Sequence, residues 1–214
     1  MRVLPAGERA VLAEFDSLRE VGERRAVVAE RPITGVVEIV GGARTLLLRF
    51  DPTMTDAGAV ARAISALAPP AAAADATPTT ASAVPGHGIV DVPVIYDGDD
   101  LAAVAELTGL GIAGVVREHT ARVWTSAFCG FAPGFSYLSS DGPSLDVPRR
   151  ATPRTAVPAG AVALAGEFSA VYPRRSPGGW QLIGRTSAAM WDVQRTPPAL
   201  LPPGTRVRFV EAAG

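Results

Sequence analysis

The stretch SLDVPRRATPRTAVPAGAVALAGEFSAVYPRRSPGGWQLIGRTSAAMWD, residues 144–192, decides the fold. Glycine and proline recur every few residues, so no helix of ordinary length fits between them. The intervening runs are short, apolar and rich in β-branched residues, the pattern of short strands joined by tight turns. Further along, TRVRFVEA (205–212) alternates and closes the region as a strand. Upstream, ARVWTSAFC (121–129) is another strand. IVDVPVIYD (89–97) is a third, and Pro93 inside it confines it to an edge or a bulge. Only two helices interrupt the strands. DDLAAVAELTGL (99–110) opens on acids and ends on glycine, and GIAGVVREHT (111–120) follows it. Many short β segments with two helices predict a closed or half-closed barrel over residues 87–214.

The first 70 residues follow another pattern. AVLAEF (10–15) is a strand, and SLREVGERRAVVAER (17–31) a helix with Asp16 as candidate N-cap. ITGVVEIV (33–40) and RTLLLRFD (44–51) flank GGA, a hairpin signal. TDAGAVARAISAL (55–67) is a second helix, capped by Thr55 or Asp56, with Val60, Ile64 and Leu67 on one face. The order β-α-β-β-α, completed by a fourth strand, predicts a small ferredoxin-like α/β domain. Between the two parts, APPAAAADATPTTASAVPG (68–86) has small residues and prolines but no large apolar anchor. It reads as a linker, placed at 71–86. The expected class is α+β.

Composition removes several chemistries. The 20 basic and 21 acidic residues nearly balance, so no global field draws the chain to nucleic acid or anionic membranes. Every basic residue is arginine; lysine and asparagine are absent. That excludes P-loop, Schiff-base and Ser-Lys chemistry and a Cys-His-Asn set. One cysteine, Cys129, permits no intrachain disulfide and suits a reducing cytoplasm. Two histidines, His87 and His119, leave too few ligands for a His/Cys zinc site, and no metal site is expected. The N-terminal residues lack a signal-peptide core, and no apolar run reaches the roughly 18 residues a membrane span needs.

Charge is uneven within the second part. Residues 87–148 hold eight acids and two arginines, whereas 149–195 hold seven arginines and two acids, Glu167 and Asp192. The arginines form either a solvated basic face or a site for carboxylate, carbamate or phosphate, which guanidinium forks match bidentately.

Three blocks, EHTARVWTSAFCGFAPGFSYL, PRRATPRTAVPAGAVALAG and YPRRSPGGWQLIGRT, resemble the signature blocks of the allophanate hydrolase subunit 1 family. That family includes the B subunit of bacterial ATP-dependent 5-oxoprolinase and a bacillary sporulation-kinase inhibitor. The blocks also resemble half of the carboxyltransferase domain of urea carboxylase. The resemblance implies a cyclophilin-like β-barrel behind the small α/β domain. It implies a homologous subunit 2 (the C subunit in 5-oxoprolinase), a lactam-binding A subunit, and ATP consumed by the complex to open 5-oxoproline to glutamate. Two other roles stay open: a regulatory protein that inhibits a histidine kinase, and the carboxyltransferase half of a urea carboxylase system. This chain has no lysine to biotinylate and no Ser-Ser-Lys amidase pattern.

Candidate residues cluster in those blocks. Ile112, Val115, Val116 and His119 follow helical spacing, which puts His119 on an apolar face. It is either a buried histidine or an acid/base group reaching a cleft. Arg150 and Arg154 sit among prolines 148, 153 and 158, which hold them in place for an anion. In a regular strand Gln181, Ile183 and Arg185 share one face, so Gln181 and Arg185 can grip an amide and a carboxylate together. His119, Arg154, Gln181 and Arg185 are the catalytic candidates. Cys129 is a small buried side chain or, with His119 as base, a nucleophile. In GFAPGFSYL (130–138), Gly130 and Gly134 allow close approach and Pro133 fixes a torsion. Phe131 and Phe135 anchor the loop by burial, each worth on the order of 2 kcal/mol. With Tyr137 and Arg150, these residues form either a packed turn or a loop whose N–H groups face substrate or partner.

Overall fold

The computed structural model describes residues 1–67, 88–140 and 145–213. The linker read at 71–86 and His87 lie outside them. The chain divides into two compact units, Met1–Ser82 and Ala83–Gly214.

The first unit runs β1 (Arg2–Pro5), β2 (Ala10–Glu14), α1 (Leu18–Glu30), β3 (Val36–Gly41), β4 (Thr45–Phe50) and α2 (Ala57–Ala66). Its sheet has the order β1-β2-β4-β3, antiparallel throughout. β2, α1, β3, β4 and α2 form the split βαβ arrangement that the spacing predicts. The fourth strand is β1, ahead of the others in sequence, paired with β2 through Arg2↔Glu14 and Leu4↔Leu12. Four residues ending in proline gave no strand signal alone. α1 begins one residue later than expected. Ser17 Oγ accepts from Glu20 N–H at 3.2 Å, and the Glu20 carboxylate takes the Asp16 N–H at 3.1 Å. α2 is capped by Asp56, which accepts from Ala59 N–H at 2.8 Å. Alternate residues of β2 and β4 (Val11, Ala13, Leu46, Leu48, Phe50) pack against Val21, Val28, Val60 and Ile64 of the helices.

The second unit runs β5 (Val90–Val94), α3 (Leu101–Thr108), α4 (Gly111–Thr120), β6 (Trp124–Cys129), β7 (Ser136–Ser140), β8 (Arg154–Val157), β9 (Ala161–Ala165), β10 (Phe168–Val171), β11 (Ser176–Gly178), β12 (Gln181–Arg185) and β13 (Arg206–Glu211). Seven strands form one sheet, β12-β9-β10-β7-β6-β13-β5, and β8 pairs with β11 separately. The two ends of the large sheet meet. Just past β5, Ile95 exchanges both backbone hydrogen bonds with Arg185 at 2.9 Å, which nearly closes the barrel. Gly184 lets the strands approach, because a Cβ there would lie 2.5 Å from the Ile95 carbonyl oxygen. Pro93 falls on β5, whose ladder partner is β13, where a missing N–H costs the sheet least. The architecture is α+β.

β9 is buried on both faces. Val162 and Leu164 face the barrel core with Val92, Leu138, Ile183 and Phe209. Ala161, Ala163 and Ala165 belong to a second apolar layer with Phe135, Tyr172, Trp180 and Leu182. β12 departs from the regular strand expected of it. Its pairing with β9 shifts between Leu182 and Gly184, a bulge at Ile183. Gln181 therefore stands opposite Leu164, on the barrel side, while Arg185 stands opposite Ala161, on the outer side. The extra residue turns the two side chains to different faces, and they do not form one grip.

Candidate functional site

Two candidate residues, Arg150 and Arg154, converge on Asp100, and a third, Gln181, braces the segment that carries them. The Asp100 carboxylate sits at the N-cap position of α3 but makes no capping bond. Arg154 reaches it from β8 with both Nη atoms, at 2.8 and 2.9 Å. Arg150 bonds the same carboxylate, and Leu182 N–H donates to it at 2.7 Å. Next to Leu182, Gln181 donates from Nε2 to Pro148 O at 3.1 Å and fastens the arginine segment to β12. Asp100 is only 3% exposed. Burial pushes its carboxyl up, but the Arg154 bonds, the Leu182 N–H and the two arginine charges outweigh that and hold it below its ordinary value. Arg154 is shifted up in turn, chiefly by its bond to Asp100. Arg150 keeps a buried Nε with no partner among the described residues. The pair is thus rigid and preorganised, with one carboxylate already shared between two cations.

The GFAPGFSYL segment joins β6 to β7 through two nested turns. Ala132 N–H donates to Gly130 O at 2.7 Å, a γ-turn centred on Phe131, whose φ is 66°. Phe135 N–H donates to Ala132 O at 2.9 Å, with Pro133 and Gly134 (φ 81°) in the middle as in a type II turn. The two phenylalanines part company. Phe135 is 1% exposed and packs on Tyr172 and Trp180 at ring distances of 5.2 and 5.5 Å. Phe131, expected to be a second anchor, is 59% exposed: its ring meets Phe135 edge-on at 5.2 Å and Tyr172 at 6.3 Å at the margin of the layer, and most of it stays uncovered. Tyr137 stacks on Phe128 at 4.3 Å and meets Trp180 at 5.6 Å. Arg149 lies over the Trp180 ring at 6.0 Å. The loop and the arginine segment thus share one aromatic layer.

His119 takes the buried alternative. It is fully enclosed in the barrel, stacked on Phe209 at 4.3 Å. Its Nδ1 meets Tyr96 Oη at 2.7 Å and its Nε2 meets Ser169 Oγ at 2.8 Å. Trp124 Nε1 donates to its backbone carbonyl at 3.0 Å. Burial drives the ring pKa down to about 3, helped by the charge of Arg122, so the imidazole is neutral at pH 7. Burial likewise raises Tyr96, which keeps its phenolic proton. With both ring nitrogens engaged, His119 holds the core together and does not activate Cys129. The Cys129 thiol instead meets Ser136 Oγ at 3.4 Å and Leu201 O at 3.7 Å.

Arg185 stands apart from the other candidates. Its backbone closes the barrel, and its exposed side chain bonds Asp97 at 2.8 Å. Sequence reasoning missed Asp100, Tyr96 and Ser169. Asp100 carried a signal that points to the wrong role, since it reads only as part of an acidic start to a helix. Tyr96 and Ser169 carried none. Among the described residues no group of three or more His, Cys, Asp or Glu side chains gathers at metal-binding distance, and no helix is long and apolar enough to cross a membrane.

Three proteins named as the B subunit of 5-oxoprolinase are similar to this chain. The Escherichia coli O157:H7 protein is 47% identical over 129 residues, 59% of each chain. That of Haemophilus influenzae is 42% identical over 124 residues, 56% of this chain and 58% of its own. That of Bacillus subtilis is 42% identical over 125 residues, 57% of this chain and 52% of its own. The chain thus spans a little over half the length of the curated relatives it matches. The crystal structure of TTHA0988 superposes with a TM-score of 0.75 at 34% identity, covering 96% of this chain and 41% of that one. The Kluyveromyces lactis urea amidolyase shares the fold, with a TM-score of 0.71 at 19% identity over 99% of this chain and 15% of its own. Residues 1–201 match the family of the carboxyltransferase domain, subdomain C and D, and this chain belongs to it.

Proposed function

We propose that this chain is the B-type subunit of a cytoplasmic, ATP-dependent 5-oxoprolinase and acts with a homologous C-type subunit and a lactam-binding A-type subunit. The observation that carries this reading is the 42–47% identity to three proteins named as the B subunit of 5-oxoprolinase. The chemical problem is that a lactam carbonyl is a weak electrophile. Transfer of the ATP γ-phosphoryl group to the lactam oxygen activates it and releases ADP. Water then adds to the carbon, the ring C–N bond breaks with the nitrogen taking a proton, and phosphate leaves with glutamate.

Arg150 and Arg154 suit a supporting role in such a step. Held by Asp100, they need no reorganisation as negative charge develops nearby. Gln181, tied to Pro148, keeps that segment against β12. His119 serves from within the barrel as a positioning residue, and Arg185 as part of the seam. The chain then supplies one wall of a composite site whose remaining groups belong to its partners. The test is ATP-dependent glutamate formation by the A-type and C-type subunits with and without this chain. Formation only in its presence supports the reading; an equal rate in its absence overturns it.

A further inference from the structure

Phe131 combines two costs that its edge contacts with Phe135 (5.2 Å) and Tyr172 (6.3 Å) repay only in part. Its φ of 66° is one an L-residue avoids, and its ring is 59% exposed. Glycine would adopt the same turn without strain. A strained, exposed aromatic points to a use outside the folded monomer. Its surroundings are apolar too. Trp191 adjoins the loop at Gly134, where a Cβ would come 2.9 Å from the Trp191 Cβ. Trp191 is 41% exposed, and Val193 in the same segment is 73% exposed. A ring this exposed is not enclosed by a small-ligand pocket, which buries most of what it holds. It suits insertion into a recess on another protein.

The rim states the charge of that protein. Tyr172 lies 6.3 Å from the Phe131 ring, and Arg174 and Arg175 follow it at the turn before β11. Arg149 lies over Trp180, and its charge is felt at the Tyr172 hydroxyl. Arg149, Arg174 and Arg175 are exposed, and none bonds a carboxylate among the described residues. Arg150, Arg154 and Arg185, by contrast, are each matched to an aspartate. Unmatched guanidinium groups beside Trp180 (Arg149) and just after Tyr172 in sequence (Arg174 and Arg175), together with a largely uncovered ring, are complementary to an acidic surface with an apolar socket.

We propose that Phe131, on the loop that Trp191 adjoins at Gly134, is the knob by which this chain docks, with the exposed Arg149, Arg174 and Arg175, on an acidic, apolar-socketed face of the C-type subunit. The identity of the partner rests on the functional reading above; the acidic, socketed chemistry does not. The test is titration calorimetry of the purified chain against the purified C-type subunit at low and high salt, with glutamate formation by the reconstituted complex followed in parallel. Phe131→Gly keeps the turn and trades its strain against the lost edge contacts with Phe135 and Tyr172, so its melting temperature should stay within a few degrees of wild type while its affinity falls about tenfold or more. The double variant Arg174→Glu, Arg175→Glu should bind more weakly and with a flatter salt dependence. Wild-type affinity in both variants overturns the docking assignment. So does a result in which they bind the C-type subunit normally but lose affinity for ATP alone, which makes the patch a nucleotide contact. Phe131-dependent binding without any requirement for this chain in glutamate formation would leave the docking standing and refute the 5-oxoprolinase reading.

Discussion

Arg154 lays both Nη atoms on the two oxygens of Asp100, at 2.8 and 2.9 Å, across 54 residues of chain. The contact ties the start of α3 to the start of β8. The Leu182 N–H on the same carboxylate extends the tie to β12. One aspartate thereby fixes the segment that carries both candidate arginines.

Asp100→Ala should therefore be strongly destabilising. Removing Asp100 leaves two partly buried arginines without that carboxylate, Arg154 keeping only the longer pair with Asp99 at 3.6 Å, and an orphaned Leu182 N–H, which together cost about 2–3 kcal/mol. Urea unfolding at pH 7 measures it. The folded carboxyl titrates below its unfolded value, so its contribution is complete above about pH 5 and fades as pH falls through the lowered folded pKa. Wild type should lose stability on acidification more steeply than the variant. Parallel profiles would remove Asp100 as the cause.

His119 gives a second pH dependence at higher pH. Its folded pKa of about 3 lies below the unfolded 6.5. Between those values the unfolded chain binds a proton that the folded ring refuses, so stability falls as pH drops below about 6.5. The slope from this group reaches about 1.4 kcal/mol per pH unit. His119→Phe should lose that slope. It should also be less stable at pH 7, by about 1–3 kcal/mol for each hydroxyl of Tyr96 and Ser169 left unsatisfied. In NMR spectra the His119 ring should not titrate between about pH 5 and 8. A midpoint near 6.5 would show an exposed ring.

Gly134→Val should fail at the level of folding. The new Cβ would meet Trp191 Cβ at 2.9 Å and Met190 O at 3.0 Å, at a φ of 81°. Overpacking and left-handed strain each cost about 1–3 kcal/mol. A melting temperature equal to wild type would mean that the loop moves freely from Met190.

Arg185→Gln should leave stability within about 1 kcal/mol of wild type, because exposed ion pairs contribute little and the seam uses the backbone. Glutamate formation with the partner subunits should also persist. A loss of activity at unchanged stability would return Arg185 to the catalytic set.

Much of the fold was legible in the sequence. The helices from Leu18, Ala57, Leu101 and Gly111 announce themselves by spacing, caps and glycine stops, and the strands by Gly/Pro punctuation. The candidate site was less so. QLIGR reads as an even strand, and Gly184 is its one local sign of the bulge at Ile183 that separates Gln181 from Arg185. Phe131 and Phe135 look equivalent four residues apart, yet Phe135 is buried in the aromatic layer and Phe131 lies at its uncovered margin, 5.2 Å away ring to ring. Asp99 and Asp100 read only as an acidic start to a helix, and nothing local says that Asp100 is claimed by two arginines from 50 and 54 residues away.

The sequence by itself determined the two-part α+β plan, the absence of lysine chemistry and the family blocks, because these depend on residue types and on neighbours within a few positions. Only the tertiary structure decided that β1 completes the first sheet, that Ile95 meets Arg185, that His119 is sealed inside the barrel and that Asp100 claims both arginines. Those contacts join residues far apart in the chain. Strand register and the course of the backbone between strands set them, and neither is encoded in any short stretch.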